Sequence, residues 1–524
     1  MKPIDVPPPP GPTTQETSFT SSLTSSNLTQ LPRSPLRPRE ATGNYGTLPP
    51  PQPSQQSSSK PPSTRALAPD LLRGLLMLLM ALDHNAMALH SWPHGTAVNG
   101  EYDSVPVKEW NRPVALTIRA ITHICAPGFT FLLGMGIAYF GRSRTNLNWT
   151  NFQMIRHFVA RAVVLTLITV AMGLAMTMGQ IWFMNIVLFA LAVDYLLAGL
   201  LWMGIARLEI RVAQLLLRVL RKKPDDDEDA GPLLWEREMR GGPSNRLIVR
   251  AGDVAWHLVN AGLVVLATVT IWWNVWCSPT GGHCDVEPKF QLPESAWLKI
   301  WFWQVQGERV ISGFPPMAWI SFAVLGLLYG RIVLAKSWSP RAINFGNFMA
   351  GVLFTFVFVL TRLCHFGNLS EGCLQMPEHV ANPDENPYLA NPASFFYLIK
   401  YPPDVAYWAF AMAGNFFLLA FFGLLPTRFA TKAFHVMLVF GTSALFFYVT
   451  HIILLFALGA GWIALIGHKL TTADPFTGQP GVGVDQVWAF FMNWALAIAI
   501  LYPLCRWYGE FKKTKGVDSI WRFF

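Results

Sequence analysis

The side chains best suited to chemistry in this sequence are histidines and charged residues that interrupt long apolar runs. One run holds Arg73 and ends on Asp83 and His84, and the next holds Arg119 and His123. An imidazole can act as a general base or as a transient acyl acceptor near neutral pH. A neighbouring cation could stabilise an oxyanion formed beside such a base. These residue types indicate proton transfer or acyl transfer in an apolar setting.

Helical spacing predicts which of these side chains share a face. Arg73 and His84 differ by roughly 20° in direction and are separated by about 16 Å along a helix axis. Arg119 and His123 are four residues apart and also share a face. Asp83 points about 100° away from His84, so we expect it to meet another helix. Arg73 is either a ligand-binding cation or only an anchor at the membrane surface.

Two further segments bring polar side chains to the end of the predicted helices at which His84 lies. Lys400 and Tyr401 precede an apolar run that starts near Val405, and His451 lies inside the following run. His451 is either a ligand-binding residue or a hydrogen-bonding residue between helices. The sequence has no GxGxxG, Walker or HExxH pattern, so we predict no nucleotide fold and no metal site.

The composition indicates what must position these residues. The chain has 524 residues, of which 52% are hydrophobic and only 14% are charged. Soluble proteins usually have about 25% charged residues, so the chain is predicted to be a membrane protein. The net charge of +9 comes from short basic clusters between apolar runs. That arrangement fits membrane orientation and not nucleic-acid binding.

We predict an all-α, polytopic transmembrane helix bundle of about ten spans, each needing about 20 mainly apolar residues. The predicted spans are Ala66–His90, Val114–Phe140, Phe158–Met178, Ile181–Ala206, Gly252–Trp276, Phe314–Leu334, Phe345–His365, Val405–Leu425, Phe434–Leu458 and Val487–Trp507. The membrane domain is expected to cover residues 66–507, with the lipid bilayer as its solvent.

The two tails and the longest loop are predicted to face the cytosol. Residues 1–65 are rich in Pro, Ser and Thr and are expected to form a disordered tail. Residues 207–250 are predicted to be a flexible charged loop, and residues 508–524 a C-terminal tail. Lys and Arg cluster in the loops after the second, fourth, sixth and eighth spans. The positive-inside rule therefore places both termini in the cytosol.

Four cysteines and one glycosylation motif lie in the predicted outer loops. Cys277 and Cys284 share one loop, and Cys364 and Cys373 lie at the start of another. They form either two short-loop disulfides or four free thiols, and the sequence leaves this open. Asn368 begins an Asn-Leu-Ser motif on the outer side, so we predict that it is glycosylated.

Several of these motifs together resemble a known family. The family is the heparan-alpha-glucosaminide N-acetyltransferase catalytic-domain family of integral-membrane acyltransferases, and the resemblance covers roughly residues 66–505 in order. The matching stretches are Asp70 to His84, Arg119 to Pro127 with its continuation Phe129 to Gly136, Lys400 to Pro403, and Phe446 to His451. The first two stretches are the specific ones.

One departure from the family pattern concerns the catalytic histidine. The animal lysosomal enzyme has Asn where His84 stands, and its catalytic histidine lies further into the following loop. His94 lies close to that loop position. The resemblance therefore leaves the catalytic residue open between His84 and His94.

The resemblance implies an acyltransferase that uses acetyl-CoA from the cytosol as acyl donor. The acceptor would be an amino sugar or another glycan on the luminal or extracellular side of an endomembrane, vacuole or lysosome-like, or of the plasma membrane. The expected catalytic residues are His84 as base, Asp83 to orient it or the acceptor, and Arg119 with protonated His123 as oxyanion stabilisers. The expected binding residues are Arg73 for the CoA phosphates, and Lys400, Tyr401 and His451 for the acceptor.

A membrane transporter is the alternative class. In that interpretation the buried His, Arg and Asp side chains would form a proton or anion pathway. Many transporters contain internal repeats, and the sequence shows no convincing one. The acceptor, the choice between N- and O-acylation, the organelle and the oligomeric state are not determined by these residues.

Overall fold

The computed structural model describes residues 67–98, 100–221, 243–473, 480–516, 519 and 521. Within these ranges, ten helices are long and apolar enough to cross a membrane. This confirms the predicted polytopic helical bundle and the number of spans. The predicted N-terminal tail lies outside the described residues, as does the acidic part of the loop at 207–250.

The helices and strands follow one another in a simple order along the chain. The first half comprises α1 (Leu67–Leu89), α2 (Pro113–Thr122), α3 (Cys125–Asn146), α4 (Asn151–Met176), β1 (Phe183–Asn185), α5 (Leu188–Arg221), α6 (Pro243–Trp276), α7 (Ala296–Phe302), β2 (Val305–Gln306) and β3 (Val310–Ser312). The second half comprises α8 (Pro316–Ala335), α9 (Pro340–Cys364), α10 (Pro377–Ala381), α11 (Pro392–Phe395), α12 (Val405–Leu424), α13 (Thr427–Ala433), α14 (His435–Thr442), α15 (Ala444–Ile466), β4 (His468–Ala473), β5 (Pro480–Gly483) and α16 (Val487–Lys513).

Several predicted boundaries are wrong. The third span begins at Asn151, and the last helix continues to Lys513, inside the predicted C-terminal tail. The fourth span begins at Leu188, because Phe183–Asn185 forms a strand instead. The ninth begins at Ala444, after a break at Ser443, so the segment from His435 to Thr442 is a separate short helix. The predicted loop at 207–250 is also shorter, since helix continues to Arg221 and resumes at Pro243. In the fourth and ninth spans the apolar run is longer than one span, so hydropathy alone leaves its register undetermined.

The first span lies at the centre of the bundle. It packs against α2, α3, α12, α14, α15 and α16, and most of its residues are buried. Small residues allow other spans to approach closely, as lipid provides little hydrophobic drive between helices. A Cβ at Gly134 of α3 would lie 2.0 Å from the Ala323 carbonyl oxygen, and one at Gly326 of α8 would lie 1.9 Å from that of Phe131. The helices α3 and α8 therefore fix one wall beside α1.

The two ends of the bundle differ in chemistry, and we name them accordingly. The basic end is where α1 begins and where Arg142 and Arg156 lie. The disulfide end is where α1 finishes, and a disulfide joins Cys284 to Cys373 there. Backbone hydrogen bonds between residue Glu371 and both Gly282 and Cys284 hold these two loops side by side.

That disulfide contradicts both short-loop pairings considered for the cysteines. Cys277 and Cys364 are free, whereas Cys284 and Cys373 are joined across 89 residues. The glycosylation predicted for Asn368 is also contradicted by the folded structure. Its side chain is buried, and its amide nitrogen donates to the Thr361 carbonyl oxygen and to the Glu371 carboxylate. Neither the spacing of the cysteines in the sequence nor the presence of an Asn-x-Ser motif shows how these loops pack together.

A small sheet at the disulfide end completes the fold near the site. The central strand β3 pairs with β1 in parallel and with β2 in antiparallel orientation. Asn185 lies opposite Ser312 in this register, and Val305 lies opposite Ser312 from the other side. The sheet is formed by the segments that precede α5 and α8, so it closes over one end of the helices.

Candidate functional site

An elongated cavity of about 670 Å³ runs along the first span. On α1 its wall extends from Arg73 to Met87, a rise of about 21 Å at 1.5 Å per residue. The hydrocarbon core of a bilayer is about 30 Å thick, so the cavity covers most of that depth. Its volume lies within the range of about 300–1,000 Å³ that small-molecule sites occupy.

The middle of this cavity is apolar, and its ends are polar. The apolar wall comprises Met77, Met80, Phe129, Leu132, Leu165, Ile452 and Phe456. Arg73 and His84, which were predicted to share one helix face, both line the cavity. The structure therefore places the predicted cation and the predicted base on one continuous wall.

The basic end of the cavity holds two arginines. Arg73 donates to the Asp70 carboxylate at 3.1 Å and to the Gly441 carbonyl oxygen at 3.3 Å. The guanidinium of Arg161 on α4 lies 4.7 Å from the centroid of the Tyr195 ring. In the described part of the chain, no carboxylate forms an ion pair with Arg161. Sequence analysis missed Arg161, although an arginine inside the third apolar run was a visible signal.

A buried network lies behind the disulfide end of the cavity. Arg119 donates from one Nη to both oxygens of Asp83, at 3.0 and 2.9 Å. Its other Nη and its Nε donate to one oxygen of Glu101, at 2.6 and 3.0 Å. His123 contacts the other Glu101 oxygen at 2.8 Å. As predicted, Asp83 meets a residue on another helix and not its neighbour His84.

This network changes the interpretation of Arg119 and His123. Both are buried, and neither is among the residues that line the cavity. Arg119 and the Nε2 of His123 hydrogen-bond to carboxylates, which does not fit the predicted contact with a reacting thioester. They instead hold Asp83 and the loop that carries Glu101.

Glu101 is the partner that sequence analysis missed. Burial raises the pKa of its carboxyl group, but Arg119 and His123 outweigh that effect and hold the pKa well below its usual range. The residue is fully buried in the loop between α1 and α2. An arginine within an apolar run needs an anionic partner, but that rule does not say which loop residue supplies it.

His84 and His451 form a pair whose protons can be assigned from hydrogen bonding. His451 Nδ1 lies 3.1 Å from the Phe447 carbonyl oxygen, which can only accept, so this nitrogen carries a proton. If the His451 ring is neutral, its Nε2 has no proton and must accept a hydrogen bond. This Nε2 lies 2.9 Å from His84 Nδ1. His84 therefore donates from Nδ1 and keeps the lone pair on Nε2. That nitrogen is available as a base.

The same geometry corrects the role predicted for His451. This residue is fully buried and does not line the cavity, whereas His84 does. His451 therefore positions His84 and does not contact an acceptor. Of the two interpretations left open by the sequence, the hydrogen bond between helices is the one that the structure shows.

His94 also lines the cavity and is a second candidate base. Its Nε2 lies 3.3 Å from an Asp83 oxygen and 2.9 Å from an Arg119 Nη. Burial lowers the pKa of His94 from its ordinary value, Asp83 opposes this effect, and Arg119 adds to it. The lowered pKa favours the neutral form of His94. The structure brings both candidate histidines to one cavity, beside the same aspartate.

Lys400 and Tyr401 lie on the cavity wall, as predicted. Lys400 is 5% exposed, and its Nζ lies 5.6 Å from the centroid of the Phe314 ring and 5.4 Å from that of Tyr401. Within the described ranges, no carboxylate forms an ion pair with Lys400. It is thus the cation that faces the space beside the two histidines.

The fold and this cavity define a multi-pass helical membrane protein with a polar site at each end of an apolar channel. No group of three or more His, Cys, Asp or Glu side chains suited to a metal occurs among the described residues. No family model matches this chain, and no curated protein matches it.

Proposed function

We propose that this protein is an integral-membrane acyltransferase. It would take an acetyl group from acetyl-CoA at the basic end and pass it to an amino sugar or another glycan at the disulfide end. The observation that carries the proposal is the single cavity with arginines at one end and two candidate bases and a lysine at the other. The positive-inside rule makes the basic end cytosolic, and a disulfide fits a luminal or extracellular opposite end.

The cavity wall matches the parts of such a donor. Arg73 and Arg161 would bind the phosphates of CoA, as guanidinium groups favour phosphate oxygens. The apolar middle would hold the acyl-carrying arm. A hydrated ion needs polar lining along its path, so the apolar walls favour a long organic ligand over an ion.

The chemistry at the disulfide end is proton transfer coupled to acyl transfer. A neutral histidine, His84 or His94, removes a proton from the acceptor nitrogen or oxygen, which attacks the thioester carbonyl carbon. The Lys400 ammonium stabilises the oxyanion that forms, in a water-poor site where such stabilisation is strong. The carbon–sulfur bond then breaks, and the histidine returns its proton to the leaving CoA sulfur.

A proton-coupled transporter is the second candidate, and one observation favours it. Asp194 on α5 is fully buried, and neither of its carboxylate oxygens has a hydrogen-bond partner in the described part of the chain. A carboxyl group at membrane depth is a common element of proton pathways. Asp194 does not line the cavity, so the acyltransferase remains the proposal.

The test is acetyl-CoA turnover by the purified protein in liposomes. Thioester loss and transfer of labelled acetyl to a panel of amino sugars are followed for wild type, His84→Ala and His94→Ala. His283→Ala is the matched control, since His283 lies in a partly exposed loop at the same end and does not line the cavity. We expect at least one cavity variant to lose about 100-fold or more in kcat, with the control unchanged.

Two results would contradict the proposal. Full activity in both cavity variants would show that neither histidine is the base. The transporter would be favoured if the protein turned over no acyl-CoA and instead took up a solute into liposomes in response to a pH gradient, in a way that depends on Asp194.

A further inference from the structure

The small sheet at the disulfide end carries polar side chains that the proposed reaction has not used. Asn185 on β1, Ser312 on β3 and Gln304, which precedes β2, all line the cavity. The wall beside them includes Tyr102, Phe314, Lys400 and Tyr401. Amide side chains and aromatic rings therefore surround the end of the cavity where the acceptor must bind.

The orientation of the Asn185 amide is fixed by its neighbours. Its Nδ2 donates to the Phe314 carbonyl oxygen at 2.7 Å and to the Ser312 hydroxyl at 2.9 Å. Because the carbonyl oxygen can only accept, the amide nitrogen must face it. The Oδ1 of Asn185 is then left buried without a hydrogen-bond partner among the described residues. Asn185 is only 1% exposed.

Gln304 supplies a second amide that has an unpaired atom. Its Nε2 is buried and has no hydrogen-bond partner in the described part of the chain. The two amides belong to opposite edges of a three-stranded sheet, so their backbones lie about 10 Å apart at two strand spacings. A buried polar group left unpaired is destabilising, so both amides gain when a ligand supplies a partner.

We propose that this sheet is the acceptor-binding subsite and that it recognises hydroxyl groups. The unpaired Asn185 oxygen only accepts, so the ligand must donate to it, whereas the Gln304 amide has no partner among the described residues that fixes it and can donate or accept. A hydroxyl group can pair with either amide, whereas a carboxylate cannot pair with Asn185. A ring with several hydroxyl groups pairs with both and places its apolar face against Tyr102, Phe314 and Tyr401. This inference rests on the proposed acyl transfer.

The test compares the acceptor KM and the donor KM in Gln304→Ala. Acceptors are D-glucosamine, D-galactosamine and their monodeoxy analogues, each with acetyl-CoA. We expect the acceptor KM to rise about tenfold, as for loss of one hydrogen bond, with the acetyl-CoA KM unchanged. Gln375→Ala is the matched control, because Gln375 belongs to the same end but does not line the cavity.

The deoxy analogues supply a readout that distorted packing would not reproduce. With wild type, one deoxy analogue should have an acceptor KM about tenfold higher than that of its parent sugar. With Gln304→Ala, the same analogue should show no further rise in KM. The subsite would be overturned if Gln304→Ala left the acceptor KM unchanged or raised both KM values equally. It would also be overturned if the effects of Gln304→Ala and of the missing hydroxyl group on the acceptor KM were additive.

Thioester loss separates this inference from the proposed function. If wild type consumes acetyl-CoA but acetylates no hydroxyl-bearing acceptor, the subsite is overturned and the donor half of the function stands. If acetyl-CoA is not consumed at all, the proposed function fails and this inference fails with it.

Discussion

The orientation of His84 depends on a residue that does not reach the cavity. His451 Nε2 accepts a hydrogen bond from His84 Nδ1, and His451 Nδ1 donates one to the Phe447 carbonyl oxygen. The lone pair of His84 is thereby fixed on Nε2, and this nitrogen can then accept a proton as a base. A similar use of a second group to hold the tautomer is common in hydrolytic enzymes.

We predict that His451→Phe lowers kcat about 10- to 100-fold and leaves the acceptor KM unchanged, because it removes only the group that orients the base. His451→Gln should recover part of the loss, as the side-chain oxygen of glutamine can accept the His84 proton. Steady-state kinetics of both variants checks this. A rise in acceptor KM with unchanged kcat would instead show that His451 contacts the acceptor.

Arg161 is predicted to bind phosphate groups of the donor. Arg161→Gln should raise the KM for acetyl-CoA about tenfold or more and leave the KM for acetyl-pantetheine, which lacks phosphates, unchanged. Arg156→Gln is the control, because Arg156 lies on the same helix but does not line the cavity. Equal losses with both donors would mean that Arg161 shapes the helix packing and does not bind phosphate.

At the scale of helices and strands, the sequence predicts membrane crossings well and their junctions poorly. All ten spans follow from apolar runs, and each long run is a helix because lipid leaves its backbone no other partner. The break at Ser443 and the strand Phe183–Asn185 lie inside such runs, and tertiary contacts decide them. Hydropathy records which segments can enter a membrane but not where the backbone turns.

The helix α12 begins with an aspartate that makes its start sensitive to pH. Asp404 accepts from the Tyr407 and Leu369 backbone nitrogens and is fully buried. Burial raises the pKa of Asp404 from its ordinary value of 3.8 to about 6, against the opposing effects of Arg362 and these two hydrogen bonds. The folded state therefore binds this proton more tightly than the unfolded state, and its stabilising contribution at low pH is lost as pH rises from about 4 to about 6.

Asp404→Asn should remove that dependence while keeping a side chain that can cap the helix. Relative to this variant, wild type should lose about 2.4 kcal/mol of unfolding free energy between pH 4 and pH 7, at about 1.4 kcal/mol per pKa unit. Unfolding of both proteins in detergent, followed by tryptophan fluorescence across this pH range, measures the difference. A difference independent of pH would contradict the assignment.

At the scale of the whole molecule, the ends of the cavity depend on segments far apart in the chain. Spacing predicted that Arg73 and His84 share a wall, since both belong to one helix, and it placed Lys400 and Tyr401 correctly at the same end. It could not find Glu101 or the amides of the sheet. Their roles come from contacts between helices or loops, and periodicity within one segment contains no information about such contacts.

The central claim is that one cavity carries an acetyl group from one side of a membrane to the other. The direct measurement uses liposomes with the protein in one orientation, assigned by proteolytic removal of a C-terminal tag. Labelled acetyl-CoA is supplied only at the basic end, and an amino-sugar acceptor is trapped only at the disulfide end. We predict that labelled N- or O-acetylated acceptor accumulates on the trapped side. Product that forms only when donor and acceptor share one side would contradict the account.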